Sequence, residues 1–182
     1  MHTRGVDHLA IVTDDMPTAM DFYTRVMGFR LVHVRRVPYE RDRGQPPYDN
    51  LRHYFFDMGN DSLLAFFEMP RGAEPRAKRD DIGGMQHVAF AVTPAAFEAL
   101  QQRLRAAGVA VDGPIDILPG LVSVYFLDPN GIRLEACCEP AAGEAPRVIG
   151  SVRQARREAR SELATLPGAD AGWLDRSTDG LA

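Results

Sequence analysis

Two apolar stretches that begin with histidine decide the fold: His8-Leu-Ala-Ile-Val-Thr13 and His87-Val-Ala-Phe-Ala-Val-Thr93. Both are rich in apolar and β-branched residues, which is typical of a buried strand. Each is followed by a helical pattern that ends at a glycine, Gly28 in the first copy and Gly108 in the second. The spacing from histidine to glycine is 20 residues in one copy and 21 in the other. This near-equality indicates an internal repeat.

The similarity continues after the two predicted helices. Tyr54-Phe-Phe-Asp57 resembles Tyr125-Phe-Leu-Asp128, and each is followed by a glycine-containing turn and an apolar run that ends at Pro70 or Pro140. A turn between two apolar runs predicts a β-hairpin. Each copy is therefore predicted to be a βαβββ module.

The fold class predicted from this repeat is α+β. The two modules cover about residues 5–70 and 85–140 of a single domain, 5–140. Residues 141–182 form a C-terminal extension with a helix predicted at about 148–166 and, after Pro167, a tail that is predicted to be weakly ordered apart from Trp173. The proline-rich segment 36–51 is long for a connection and is predicted to be a lid over a site.

Composition narrows the function. The 182 residues are 45% hydrophobic and 25% charged, which is typical of a globular domain and excludes collagen-like, disordered and coiled-coil classes. The net charge of −4 argues against a nucleic-acid partner. No apolar run is long enough for a membrane span or a secretory signal, so we expect a cytoplasmic protein. The adjacent residues Cys137 and Cys138 are expected to be buried, reduced thiols.

Three residues indicate a metal site. His8 and His87 occupy equivalent positions in the two repeats, and Glu135 stands among apolar neighbours in the last predicted strand. A carboxylate in such a place is costly to bury without a cation or hydrogen-bond donors. Each residue alone has an ordinary structural explanation. Together, two imidazoles and one carboxylate form the set of ligands that suits Fe(II).

The sequence resembles the vicinal oxygen chelate superfamily, which includes glyoxalase I, methylmalonyl-CoA epimerases, extradiol dioxygenases and antibiotic-resistance proteins. The resemblance covers residues 5–140 and depends on His8, His87 and Tyr125-Phe-Leu-Asp-Pro-Asn-Gly-Ile-Arg-Leu-Glu135. It implies a cupped mixed sheet that holds a divalent metal on His8, His87 and Glu135. The substrate would chelate this metal through two neighbouring oxygens.

The choice within the superfamily depends on a fourth ligand. Glyoxalase I and the epimerases place a Glu or Gln in the last strand of the first module, where Glu68 is the candidate. The repeat aligns Glu135 with Ala65 instead, and Glu68, three residues later, is expected to face the other side of the strand. A β-bulge would reverse this expectation.

With three ligands the site resembles that of extradiol dioxygenases, which use Fe(II) and O₂. Mn(II), Zn(II) and Ni(II) are the alternative metals. Tyr125 matches the tyrosine of that family's closing signature, and its expected catalytic role is a hydrogen bond to a substrate oxygen. The alternative is a packed aromatic residue. Superfamily members often form dimers, so we expect a homodimer.

The sequence departs from the extradiol pattern at the position of a histidine that precedes Val124. Asp116, Ile117 and Leu118 stand there instead, so proton transfer needs another base. Asp116 and His53 are the candidates, although the repeat aligns His53 with Val124 and predicts that it faces away from Tyr125.

Two other functions stay open. One is a glyoxalase- or epimerase-type catalyst that needs no O₂. The other is a drug-sequestering resistance protein without turnover. A metal bound in the purified protein would favour either enzyme over the sequestering protein.

Overall fold

The two sequence repeats fold into two βαβββ modules in the computed structural model, as the sequence predicts. The structure describes residues 5–36, 51–72, 79–80, 82–118, 120–142 and 154–181. The predicted lid therefore lies largely outside the described residues, and so does part of the linker between the modules. The α+β fold class is confirmed.

The elements of the first module are β1 (His8–Thr13), α1 (Met16–Asp21), a π-helical segment (Phe22–Val26), β2 (Arg30–Arg36), β3 (Arg52–Asp57) and β4 (Leu63–Glu68). Those of the second are β5 (Val88–Ala91), α2 (Pro94–Ala106), β6 (Val111–Leu118), β7 (Leu121–Leu127) and β8 (Arg133–Cys138).

Each module forms its own four-stranded mixed sheet. The strand orders are β1-β4-β3-β2 and β5-β8-β7-β6. The first strand of each module pairs in parallel with the last, and the other neighbours pair antiparallel. The strands of the two modules are not hydrogen-bonded to each other within the described residues.

Local sequence explains where the helices begin and end. The side chains of Asp15 and Thr93 accept hydrogen bonds from the backbone at the starts of α1 and α2, with a proline in the first turn of each. Gly28 and Gly108 follow the helical segments at positive φ, where glycine is favoured. The first helix widens after α1, because the N–H of Met27 bonds to the carbonyl of Phe22. The sequence pattern did not predict this π-helical segment.

The helices pack on one face of each sheet and form a shared core. This core includes Tyr23, Phe56, Phe66, Leu104 and Val124, all of which are fully buried. We call the opposite face of each sheet the open face. Because side chains alternate along a strand, residues two positions apart share a face.

Polar contacts connect the two modules on the core side. The buried hydroxyl of Tyr23 donates to Oδ2 of Asp128 across 3.0 Å. The hydroxyl of Thr13 donates to Oδ1 of Asn130 across 2.6 Å. Buried polar groups that are satisfied in this way favour one arrangement of the modules over others.

The edge strands leave apolar surface uncovered. Strand β2 is exposed along its whole length, and β6 is exposed after Val111. Val32 is 53% exposed and Ile117 is 43% exposed. Exposed apolar edges of this kind mark surfaces that bind another chain.

The C-terminal extension differs from its prediction. One helix, α3, spans Arg156–Leu163, whereas residues 148–153 of the predicted helix lie outside the described residues. A second helix, α4, spans Ala171–Ser177, so the prediction of a weakly ordered tail was wrong. The side chain of Asp170 caps this helix by accepting a hydrogen bond from the N–H of Trp173, a signal that the sequence contained. None of the helices in the described residues is long and apolar enough to cross a bilayer.

Candidate metal site on the open faces

His87 and Glu135 form the centre of the candidate site. Strand β5 pairs with β8 so that Ala89 lies beside Glu135, and His87 comes two residues earlier on the same face. Nε2 of His87 lies 2.9 Å from Oε2 of Glu135, and the two side chains are 33% and 6% exposed. The other ring nitrogen, Nδ1, contacts Oε1 of Gln86. This contact favours the ring orientation in which Nε2 points to the carboxylate.

Polar neighbours stabilise the ionised form of Glu135. Burial by itself raises the pKa of this carboxyl, but the Cys137 thiol, further hydrogen bonds and the adjacent His87 lower it, and the resulting pKa lies below the usual value. The Cys137 thiol donates to Oε1 across 2.9 Å. Burial and Glu135 in turn raise the pKa of Cys137 to about 12. Glu135 is thus a buried carboxylate that remains charged at neutral pH.

Tyr125 and Arg133 border this pair on the open face. Tyr125 pairs with Glu135 across the sheet, and its ring centroid lies 5.9 Å from that of His87 at a perpendicular angle. Burial and the charge of Glu135 raise the pKa of Tyr125, so its phenol keeps its proton. Cζ of Arg133 lies 4.1 Å from the centroid of the Tyr125 ring.

His8 lies on the open face of the first module, away from that centre. Its Nδ1 is 2.7 Å from Oδ1 of Asp7, and the two side chains are 40% and 89% exposed. Its ring centroid is 5.8 Å from that of Phe55 and 6.3 Å from that of His53. Exposed pairs such as His8–Asp7 contribute little to stability.

The placement of His53 corrects the sequence prediction. Its ring stacks on Phe67 at 3.9 Å and lies 4.1 Å from the ring of Phe55, so it shares the open face with His8. Hydrogen bonds in the two hairpin turns explain the error. The N–H of Met58 donates to the carbonyl of Ser62, and the N–H of Asp128 donates to the carbonyl of Ile132. Met58 therefore corresponds to Asp128, which makes Phe55 the equivalent of Tyr125 and His53 the equivalent of Ser123.

The other two carboxylates considered from sequence lie outside the site. Glu68 pairs with Thr13, on the opposite face from His8, and accepts a hydrogen bond from Tyr54 across 2.7 Å. The expectation that Glu68 faces away is confirmed. Asp116 pairs with Val122, whose neighbour Ser123 is on the open face, so Asp116 points away from Tyr125.

The donor set is therefore divided between the two sheets. Among the described residues, no group of three His, Cys, Asp or Glu side chains is arranged to hold a metal ion. His87 and Glu135 come together as predicted, whereas His8 belongs to the other open face. One chain therefore has His87 and Glu135 on the open face of the second module and His8 on the open face of the first.

Two neighbours of Glu135 are not among the site residues that the sequence predicts. Cys137, predicted to be a buried thiol, is half-buried and bonded to the carboxylate. Arg133 lies on the same face as Glu135, with its guanidinium over the ring of Tyr125. Strand periodicity could have identified both, since they lie two positions either side of Glu135 in β8.

Comparison of the sequence with models of known protein families supports the fold independently, and one family model matches most of the chain. The model described as "Glyoxalase/Bleomycin resistance protein/Dioxygenase superfamily" matches residues 5–136, which includes His8, His87 and Glu135.

Solved structures share this architecture. A glyoxylase/bleomycin resistance protein/dioxygenase domain from Frankia sp. EAN1pec is 19% identical, with a TM-score of 0.63, over 76% of this chain and 93% of the other. A glyoxalase family protein from Enterococcus faecalis is 22% identical, with a TM-score of 0.59, over 75% and 99%. The fosfomycin resistance protein FosX from Listeria monocytogenes, complexed with Mn(II) and sulfate, is 14% identical, with a TM-score of 0.52, over 75% and 93%. At these identities the likeness establishes the fold.

Proposed function

The chain belongs to the glyoxalase/bleomycin resistance protein/dioxygenase superfamily, and from that premise we propose that it is a metal-dependent enzyme with His8, His87 and Glu135 as ligands. The substrate is a small molecule that chelates the cation through two neighbouring oxygens. The reaction is of the extradiol dioxygenase type, with Fe(II) as the cation.

The observation that carries this proposal is the contact between His87 and Glu135. A buried carboxylate is costly unless a cation or hydrogen bonds compensate it, and no ion pair of the described residues joins Glu135 to a lysine or arginine. An imidazole and a carboxylate 2.9 Å apart are donors that suit divalent transition metals. A cation bound there would supply Lewis-acid polarisation of substrate oxygens.

We propose that the third ligand comes from a second copy of the chain. In a twofold-symmetric homodimer, the open face of the first module of one copy lies against that of the second module of its partner. His8 of one copy then completes the pair His87 and Glu135 of the other, at two equivalent sites. The exposed strands β2 and β6 provide the apolar surface for this contact.

Tyr125 is the proposed catalytic residue. Its phenol lies beside His87 and Glu135 and stays protonated because burial and Glu135 raise its pKa. It can therefore donate a hydrogen bond to a substrate oxygen as negative charge develops there. Phe55 and Phe67, which surround His53 on the facing module, form apolar walls for an aromatic substrate.

A second candidate function is a glyoxalase- or FosX-like reaction that does not use O₂. The Mn(II) complexed by FosX from Listeria monocytogenes makes Mn(II) the next metal to test. A drug-sequestering protein of the same fold is the third candidate and needs no metal.

Metal analysis of the purified protein tests the ligands. Either enzymatic function predicts about one divalent cation per chain, which is lost in His87→Ala and Glu135→Ala. Glu68→Ala is the matched control, because Glu68 lies on the opposite face of the sheet from His8 and is not among the ligands. Full metal occupancy in Glu135→Ala would refute the site, and a metal-free wild type with tight drug binding would favour sequestration.

A complementation experiment tests the shared site. His8→Ala and Glu135→Ala chains, given different affinity tags and purified together, form a mixed dimer with one intact site. We expect each variant alone to bind no metal and the mixed dimer to bind about one cation. If the ligands instead converge within one chain, the mixed dimer stays empty.

Assays then distinguish the reactions. Anaerobic loading with Fe(II), followed by catechols and oxygen, should give a yellow ring-fission product with oxygen uptake. Oxygen-independent conversion of a methylglyoxal–thiol hemithioacetal or of fosfomycin would favour the second candidate instead.

A further inference from the structure

Arg133 lies beside the candidate site and has no acidic partner among the described residues. It stands two residues before Glu135 in β8 and so shares the open face with it. None of the ion pairs in the described part of the chain includes Arg133. The contact that the structure gives its guanidinium is the ring of Tyr125, 4.1 Å away.

The first module carries an apolar residue at the position equivalent to Arg133. His8 pairs with Leu63, so Leu63 is the equivalent of Arg133 in the repeat. The open face of the first module carries arginines at other positions: Arg30, which is paired with Asp57 across 2.9 Å, and Arg35, which lies opposite His53 in the sheet. A positive charge two residues before the position of the last-strand carboxylate thus occurs in the module that carries Glu135.

The stacking on Tyr125 leaves the guanidinium able to bind an anion. A guanidinium that lies over an aromatic ring uses its face, and its N–H groups at the edge stay available for a bidentate acceptor. The ring of Tyr125 lies 5.9 Å from the ring of His87. Cζ of Arg133 is therefore no more than about 10 Å from that imidazole, since the separations of 4.1 and 5.9 Å add at most. This is within the reach of one small substrate.

We propose that Arg133 binds an acidic group of the substrate, so that the substrates are small anions such as carboxylated vicinal diols or catechols. Tyr125 holds the guanidinium in place and contacts the chelating oxygens on its other side. The inference rests on the proposed metal site, and it specifies in addition that the substrate is negatively charged.

The test compares two ligands that differ in one carboxylate. Co(II)-loaded protein is titrated with catechol and with 3,4-dihydroxybenzoate, and binding is followed by the visible absorption of the metal. We expect wild-type protein to bind 3,4-dihydroxybenzoate about 10- to 100-fold more tightly, as expected for a charge-assisted hydrogen bond. Arg133→Met should abolish this preference without changing the affinity for catechol.

Two further variants sharpen the comparison. Arg133→Lys keeps the charge but not the planar fork, so it should retain part of the preference. Arg52→Met is the matched control, because Arg52 is paired with Glu68 across 3.4 Å and lies away from the site. It should bind both ligands like the wild type, and circular dichroism checks that every variant is folded.

The outcomes separate this inference from the proposed function. If the protein binds no Co(II), the metal site is wrong and the inference falls with it. If Co(II) binds but the wild type does not prefer the carboxylated ligand, or folded Arg133→Met keeps the preference, Arg133 does not recognise the anion and the metal site stands.

Discussion

The thiol of Cys137 donates a hydrogen bond to Oε1 of Glu135 across 2.9 Å. The other carboxylate oxygen, Oε2, faces His87. Both oxygens of the buried acid therefore have partners, and the bond from Cys137 favours the orientation of the carboxylate that directs Oε2 to the imidazole.

The first prediction is that Cys137 reacts slowly with alkylating agents. Burial and Glu135 raise its pKa to about 12, so very little thiolate exists at pH 8. In metal-free Cys138→Ala protein, carboxamidomethylation by iodoacetamide should be about 100-fold slower than in the unfolded chain. Glu135→Gln should accelerate it, because the negative charge that opposes ionisation is removed. Equal rates in native and unfolded protein, measured by mass spectrometry, would contradict this placement of the thiol.

A second prediction concerns metal affinity. Hydrogen-bond partners of a ligand typically change metal affinity by about 10- to 100-fold when they are removed. Cys137→Ala should therefore weaken Co(II) binding by about that factor, whereas Cys137→Ser, which keeps a donor, should weaken it less. Competition with a chelator of known affinity measures both variants. Cys138→Ala is the control, since Cys138 is on the other face of β8, and an equal loss in all three variants would indicate a general packing defect.

The third prediction concerns the buried bond between the modules. The hydroxyl of Tyr23 donates to Asp128 across 3.0 Å, and Asp128 also accepts the N–H groups of Asn130 and Ile132. Tyr23→Phe should lower the free energy of unfolding by about 1–2 kcal/mol, and Asp128→Ala by about 2–4 kcal/mol because it leaves more buried donors unsatisfied.

Urea unfolding of both variants and the double variant measures the coupling. Since the two side chains are bonded, the losses should fall short of additivity by about 1 kcal/mol or more. Tyr54→Phe is the control, because its hydroxyl bonds to the half-buried Glu68 and should matter less. Additive losses would mean that the hydrogen bond between Tyr23 and Asp128 does not contribute to the free energy of unfolding.

Much of the architecture could be read from local patterns. Strand alternation, the caps at Asp15 and Thr93 and the terminal glycines are local signals, and they predicted the two modules correctly. The face of Glu68 also followed from periodicity within one strand. These features depend on residues that are close together in the sequence, so the sequence alone is enough to predict them.

Two features needed the structure because they depend on distant contacts. The similarity between the motifs that begin at Tyr54 and Tyr125 suggested a register that is wrong by one residue, because hydrogen bonds in the hairpin turns set the pairing. The error reversed the face of His53. The separation of His8 from His87 depends on how the modules pack, and periodicity within a strand contains no information about this packing.

The last prediction concerns Gly113, where the backbone of β6 lies close to that of Ser123 in β7. Gly113 has φ of +114°, and a Cβ atom there would lie 2.7 Å from the backbone oxygen of Ser123, whereas Gly120 has φ of +84° and open space around it. Both alanine variants incur the cost of a left-handed backbone, about 1 kcal/mol, but only Gly113→Ala must also displace β7. We therefore expect Gly120→Ala to lose about 1 kcal/mol in urea unfolding and Gly113→Ala to lose at least about 2 kcal/mol more. Because Ser123 and Tyr125 share the open face, Gly113→Ala should also weaken metal binding, and equal losses in the two variants would show that β6 can move away from β7 without cost.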